Sequence, residues 1–164
     1  MTHAKGYPCL IRAYHLISKK ITSDLVILGI GEEEERLRVL TRELGIEERV
    51  EFLGFQENPY KFMKNASLFV LSSLWESFAL VIVEAMACGV PVISTDCPSG
   101  PGEIITPGEN GMLVSPADEK ALAEAMLKLL EDESLRRKFS CEGKKRAEDF
   151  RIEKILPQYE ILLK

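Results

Sequence analysis

The sequence predicts an α/β fold on a doubly wound parallel sheet, and three observations carry that prediction. Short apolar runs alternate with segments of helical period along the whole chain. The runs are apolar at nearly every position, as in strands covered on both faces. Glycine and proline turns separate the two kinds of segment, with no repeat, low-complexity tract or linker. At 164 residues the chain has the length of one ordinary domain with a sizeable core.

Tyr7 to Lys19 places Leu10, Ile11, Tyr14 and Ile17 on one helical face and ends in basic residues. Leu25-Val26-Ile27-Leu28, closed by Gly29, reads as a buried strand. Glu32 to Leu44 reads as a helix with Gly45 as its stop. Val50 to Leu53 is a second strand, Asn58-Pro59 opens a short helix to Lys64, and Leu68 to Ser72 is a third strand. Phe78 to Cys88 is a helix stopped by Gly89, Pro91 to Thr95 a fourth strand, and Cys97 to Gly102 a loop. Gly111 to Val114 is the last strand, followed by helices over Ala117–Glu131, Ser134–Asp149 and Ile152–Leu163.

The charge balance, 21 basic against 26 acidic residues, argues against a nucleic-acid or anionic-membrane surface. Four cysteines (Cys9, Cys88, Cys97, Cys141) have no metal-like spacing and read as reduced thiols. Phe78 to Ile93, the most apolar stretch, is interrupted by Glu84, Gly89 and Pro91, so it spans no bilayer. The start of the sequence lacks a signal-peptide pattern, and the expected location is the cytoplasm.

Two features invite a functional reading. In Gly29-Ile30-Gly31 the third glycine of a dinucleotide fingerprint falls on Glu34, and the carboxylates of Glu32 to Glu35 would repel a pyrophosphate. They suit the first turn of a helix, and the structural reading wins. The second feature is Glu76 with Glu84. Glu84 lies inside Phe78–Ala87, a helix apolar on nearly every side, where a carboxylate costs several kcal/mol unless donors meet it. A ligand's hydroxyl pair would supply them. Glu76 precedes the helix at the end of a buried strand, where parallel sheets place ligand sites. The N–H groups of Ser77, Phe78, Ala79 and Leu80 are the free donors of that helix start, aimed where an anion binds. A capped helix whose Glu84 pairs with a distant basic side chain satisfies the same residues, so local physics leaves both readings open.

The run from Ser72 through Trp75-Glu76-Ser77-Phe78 and Glu84-Ala85-Met86-Ala87-Cys88-Gly89-Val90-Pro91 to Thr95 resembles the donor-site signature of family 4 glycosyltransferases. It stays in register through Asp96–Pro101, Glu103-Ile104-Ile105 and Asn110–Val114. Upstream, Lys5-Gly6, the turn Gly29–Gly31 and Val50–Phe55 also match, so the resemblance covers residues 4–163. It implies the C-terminal, Rossmann-like half of a GT-B enzyme: one donor-binding domain over residues 1–164. Its partners are a nucleotide-sugar and a glycan, polysaccharide or lipid-linked acceptor, and a peripheral place on the inner membrane face is compatible with that role.

Residue by residue, the resemblance places Glu76 near the transferred sugar, as the catalytic position, and Glu84 on the ribose hydroxyls. Lys5 neutralises the diphosphate together with backbone N–H groups of Ser77, Phe78, Ala79, Leu80 and Val81. Gly54 and Phe55 line the base pocket. Transfer retains anomeric configuration, the leaving diphosphate accepts the acceptor's proton, and no metal or cofactor is expected.

The sequence departs from that pattern at Ser77 and Ala79, where glycine is common, and at Gly102, where arginine is common. Only Met1-Thr2-His3-Ala4 precede Lys5, so the acceptor domain, a strand and a diphosphate-binding arginine have no counterpart. The missing strand is central in the family, between those at Leu25 and Leu68, whose edges it would leave open. The expectation is a chain that binds a nucleotide-sugar without transferring sugar alone, with a separate N-terminal chain as a candidate partner. Two alternatives are a non-catalytic remnant or structural subunit, and a signalling module of the phosphoacceptor type. The second needs an aspartate where the strand Val50–Leu53 ends in Gly54. His3 and His15 read as structural or solvent-exposed, and Lys144-Lys145-Arg146 as a solvated face.

Overall fold

The computed structural model describes residues 1–162. Five strands are β1 (Leu25–Ile27), β2 (Val50–Phe52), β3 (Phe69–Leu71), β4 (Val92–Thr95) and β5 (Met112–Val114). Eight α-helices are α1 (Tyr7–Ile17), α2 (Glu34–Glu43), α3 (Tyr60–Met63), α4 (Leu80–Ala87), α5 (Pro101–Ile104), α6 (Glu119–Glu131), α7 (Glu133–Ala147) and α8 (Ile152–Leu162). All strand pairs are parallel, with Leu25 beside Val50, Phe69 beside Val92 and Ile93 beside Met112. On β4, Val92 and Ile93 are both fully buried but belong to different apolar clusters, because successive strand side chains point to opposite faces. One cluster joins α1, α2 and α6; the other is built on α4 and takes in Ile104, Ile105 and Ala147. Helices thus cover both faces, as the all-apolar strands predict.

The strands form two hydrogen-bonded sheets, β1-β2 and β3-β4-β5. Among the described residues no strand joins β1 to β3, the two strands that the resemblance sets on either side of a central one. Val26 on β1 is accordingly 44% exposed in a position a parallel sheet normally buries.

Helix boundaries follow local chemistry. Asp118 and Asp132 cap α6 and α7 by accepting from the Ala121 and Leu135 N–H groups, which sets their starts at Glu119 and Glu133. The loop expected over Cys97–Gly102 runs into α5, where Gly100 N–H donates to the Glu103 carboxylate. The helix expected from Glu32 begins at Glu34, whose carboxylate takes two bonds from Arg38. Leu163, expected to close α8, lies outside the described residues.

Candidate functional site

The C-terminal ends of the parallel strands gather four turns: Gly29–Gly31 after β1, Gly54-Phe55 after β2, Ser72–Ala79 after β3 and Asp96–Gly100 after β4. The turns after β1 and β2 are tied by Gly29 N–H donating to the Gly54 carbonyl at 2.8 Å. Met1–Lys5 lies at the same end: the Met1 amino group donates to the Ile30 carbonyl, and Leu74 N–H donates to the Ala4 carbonyl at 2.7 Å. The glycine turn is therefore packed by Met1 rather than open to a pyrophosphate.

Lys5 and Glu76 meet. Lys5 Nζ is 2.7 Å from Glu76 Oε1, and Ser73 Oγ donates to the same oxygen at 2.6 Å. The Glu76 side chain is 9% exposed, against 41% for Lys5, so the carboxylate is largely buried while the lysine remains accessible to solvent. Its field acts on two neighbours. Burial first, then Glu76, pushes the Tyr7 hydroxyl above its usual value, and burial with Glu76 among smaller contributors raises the Cys97 thiol. Ser73 and Cys97 lie inside the matching runs without an assigned role and Tyr7 lies outside them, and nothing in their spacing marks any of the three as a site neighbour.

Glycine at position 6 is a steric requirement. Gly6 has φ +60°, and a Cβ there would lie 2.1 Å from the Ser72 carbonyl oxygen. Ser72 Oγ in turn donates to the Lys5 carbonyl at 2.8 Å. The Lys-Gly pair is thereby locked to the end of β3, which fixes where Lys5 projects.

α4 begins at Leu80, two residues later than expected, because Ala79 adopts the left-handed conformation (φ 64°, ψ 49°) at its N-cap. For alanine that conformation costs about 1–2 kcal/mol, which accounts for glycine being common at this position in the resembling family. Ile82 N–H is taken by the Ala79 carbonyl, while the N–H groups of Phe78, Ala79, Leu80 and Val81 have no hydrogen-bond partner among the described residues. Gly100 lies against this turn; a Cβ on it would come within 2.3 Å of the Phe78 carbonyl oxygen.

Glu84 departs from the sequence expectation. It is half-buried rather than sunk among apolar groups, because α4 has one solvent-facing stripe on which Leu80, Glu84 and Ala87 fall at helical spacing. Its partner is uncharged: Tyr60 Oη donates to Glu84 Oε1 at 3.2 Å. Chiefly through the charge of Glu84, the Tyr60 hydroxyl is held above its ordinary value and stays a donor. Phe55, beyond the β2 turn, is 71% exposed. Trp75 is also exposed and sits against the His3 ring, with centroids 6.0 Å apart, so it fills no core.

Arg146 corrects the reading of its basic run as a solvated face. Its guanidinium donates to the Ile104 carbonyl at 3.1 Å and the Glu103 carbonyl at 2.6 Å, and stacks on Phe150 at 4.7 Å. Phe150 packs edge-on against Phe78, centroids 5.7 Å apart. One side chain thus ties the α5 turn and the α4 entry to the end of α7. Arg146→Ala is expected to lower stability by about 2 kcal/mol, since it strips two carbonyls of a charged donor. Urea unfolding checks this; a loss under about 0.5 kcal/mol, the range of ordinary surface changes, contradicts it.

Fold and geometry define a parallel α/β domain with an acid–lysine pair, an uncapped helix start and a second carboxylate at its strand ends. The chain belongs to the family described as Glycosyl transferases group 1, which it matches over residues 1–146. It is 37% identical over 193 aligned positions to an uncharacterized glycosyltransferase of Methanocaldococcus jannaschii, covering 99% of this chain and 47% of that protein. It is 38% identical to N-acetyl-alpha-D-glucosaminyl L-malate synthase of Bacillus anthracis, covering 93% of this chain and 40% of that one. The chain therefore spans less than half the length of these curated relatives.

Among solved structures, a point mutant of Staphylococcus aureus TarM in complex with fondaparinux, alpha-GlcNAc-glycerol and UDP superposes with TM-score 0.93 at 26% identity, over 99% of this chain and 33% of that one. Anabaena HepE in complex with UDP-glucose superposes with TM-score 0.90 at 29% identity, over 99% and 46%. The GT-B architecture, of which this is the C-terminal half, accords with the α/β expectation. Among the described residues no helix is long and apolar enough to cross a membrane.

Proposed function

We propose that residues 1–164 are the donor-binding domain of a retaining, family 4 type glycosyltransferase that takes a nucleoside-diphosphate sugar. The observation that carries this is the state of Glu84: half-exposed, unpaired with any cation among the described residues, and one helical turn from the free N–H groups of Leu80 and Val81. A half-exposed carboxylate needs no cation for folding, so its remaining acceptor positions stay available to a ligand. This one is half-exposed to solvent and bonded to an exchangeable hydroxyl.

In this reading Glu84 accepts the ribose hydroxyls, and Gly54 and Phe55 border the base. Lys5 and the N–H groups of Ser77, Phe78, Ala79, Leu80 and Val81 hold the diphosphate. Glu76 lies beside the transferred sugar. As the anomeric carbon–oxygen bond to the diphosphate breaks, the acceptor oxygen bonds to that carbon and its proton passes to the departing diphosphate. Lys5 and the helix start stabilise the charge that develops there, without a metal. The acceptor is a glycan, polysaccharide or lipid-linked sugar, met in the cytoplasm or at the inner membrane face.

The open edges of β1 and β3 favour a version in which transfer needs further polypeptide, supplied as a separate N-terminal chain or as more of the same one. A structural subunit that binds no donor is the competing version. Ligand-observed NMR on the chain with UDP-glucose, UDP-N-acetylglucosamine, GDP-mannose and ADP-glucose separates the two. Saturation transfer to at least one nucleotide is expected; none from a cooperatively folded chain contradicts the proposal.

A further inference from the structure

Tyr60 lies 24 residues from Glu84 in sequence and outside every motif that points to the site, yet among the described residues its hydroxyl is the one hydrogen-bond partner of that carboxylate. It opens α3, the single turn set by Asn58-Pro59, so its backbone is anchored by the Pro59 carbonyl, which accepts from Phe62 and Met63 N–H at 3.0 and 3.1 Å. Tyr60 is 44% exposed, so packing alone does not explain where its ring points. A carboxylate offers about four acceptor positions. Tyr60 occupies one on Oε1 and leaves about three, one on Oε1 and two on Oε2, enough for the two donors of a vicinal diol.

We propose that Tyr60 is a positioning residue that fixes the Glu84 carboxylate for recognition of a ribose diol, and so sets the discrimination between ribose and deoxyribose nucleotides. This rests on the assignment of Glu84 made above. Without the phenol hydroxyl, the carboxylate of a half-exposed glutamate turns among its rotamers, and ordering it on each binding event weakens the diol's two bonds. The base and the diphosphate, held elsewhere, are untouched by the change.

The test is calorimetric titration of the full chain with UDP and with 2′,3′-dideoxy-UDP, repeated with the GDP and ADP pairs, for wild type, Tyr60→Phe and Glu84→Gln. Wild type is expected to prefer the ribonucleotide by about tenfold or more, the scale of a bond to a charged group. Tyr60→Phe is expected to reduce that preference by about three- to tenfold, with dideoxynucleotide affinity and melting temperature unchanged. A purely structural tyrosine would weaken both nucleotides alike. A preserved ratio in Tyr60→Phe, alongside a ratio abolished in Glu84→Gln, overturns the role of Tyr60 and leaves that of Glu84 standing. A wild type without preference, or without binding, overturns both.

Discussion

Gly6→Ala is expected to destabilise the protein by about 3 kcal/mol or more. Two costs combine. Position 6 has φ +60°, which an alanine adopts at a cost of about 1–2 kcal/mol. The new Cβ would also fall 2.1 Å from the Ser72 carbonyl oxygen. That neighbour is backbone at the end of β3, so neither side yields cheaply. Relief comes only by moving Lys5 and the start of α1 away from β3, which breaks the bond from Ser72 Oγ to the Lys5 carbonyl and the 2.7 Å contact between Lys5 and Glu76. Urea denaturation reads the loss directly. A variant within about 1 kcal/mol of wild type would show that the Lys-Gly turn is not held as described.

Much of this architecture is legible in the sequence because burial dictates residue type. Val92 and Ile93 are both fully buried on opposite faces of β4, so a strand apolar at every position correctly predicts helices on both sides. The strand-end location of Glu76 follows from the same pattern. Other features rest on tertiary approach, which spacing does not encode. The left-handed Ala79 delays α4 by two residues, because a short polar turn allows several backbone paths and only contact with the Gly100 loop selects one. Glu84 has apolar neighbours in sequence, yet the axis of α4 turns its own face outward, and periodicity in an all-apolar helix cannot tell which stripe meets solvent. Tyr60 and Arg146 reach the site from elements that carry no motif, and Arg146 sits in a basic run of ordinary appearance.

Glu84→Ala is the second large effect, and it falls on binding rather than folding. Glu84 is half-exposed and its one partner among the described residues is the Tyr60 hydroxyl, while alanine is the strongest helix former, so stability should change by less than about 1 kcal/mol. Hydrogen bonds to an ionised acceptor contribute about 1.5–3 kcal/mol each, so losing the two from ribose should raise the dissociation constant for a nucleoside diphosphate by about 100-fold or more. The measurement is calorimetric titration of wild type and Glu84→Ala with UDP, GDP and ADP at equal protein stability. A rise of that size for the nucleotide that wild type binds best is the predicted result; equal affinities in the two proteins would contradict the assignment of this strand-end site to a nucleotide-sugar.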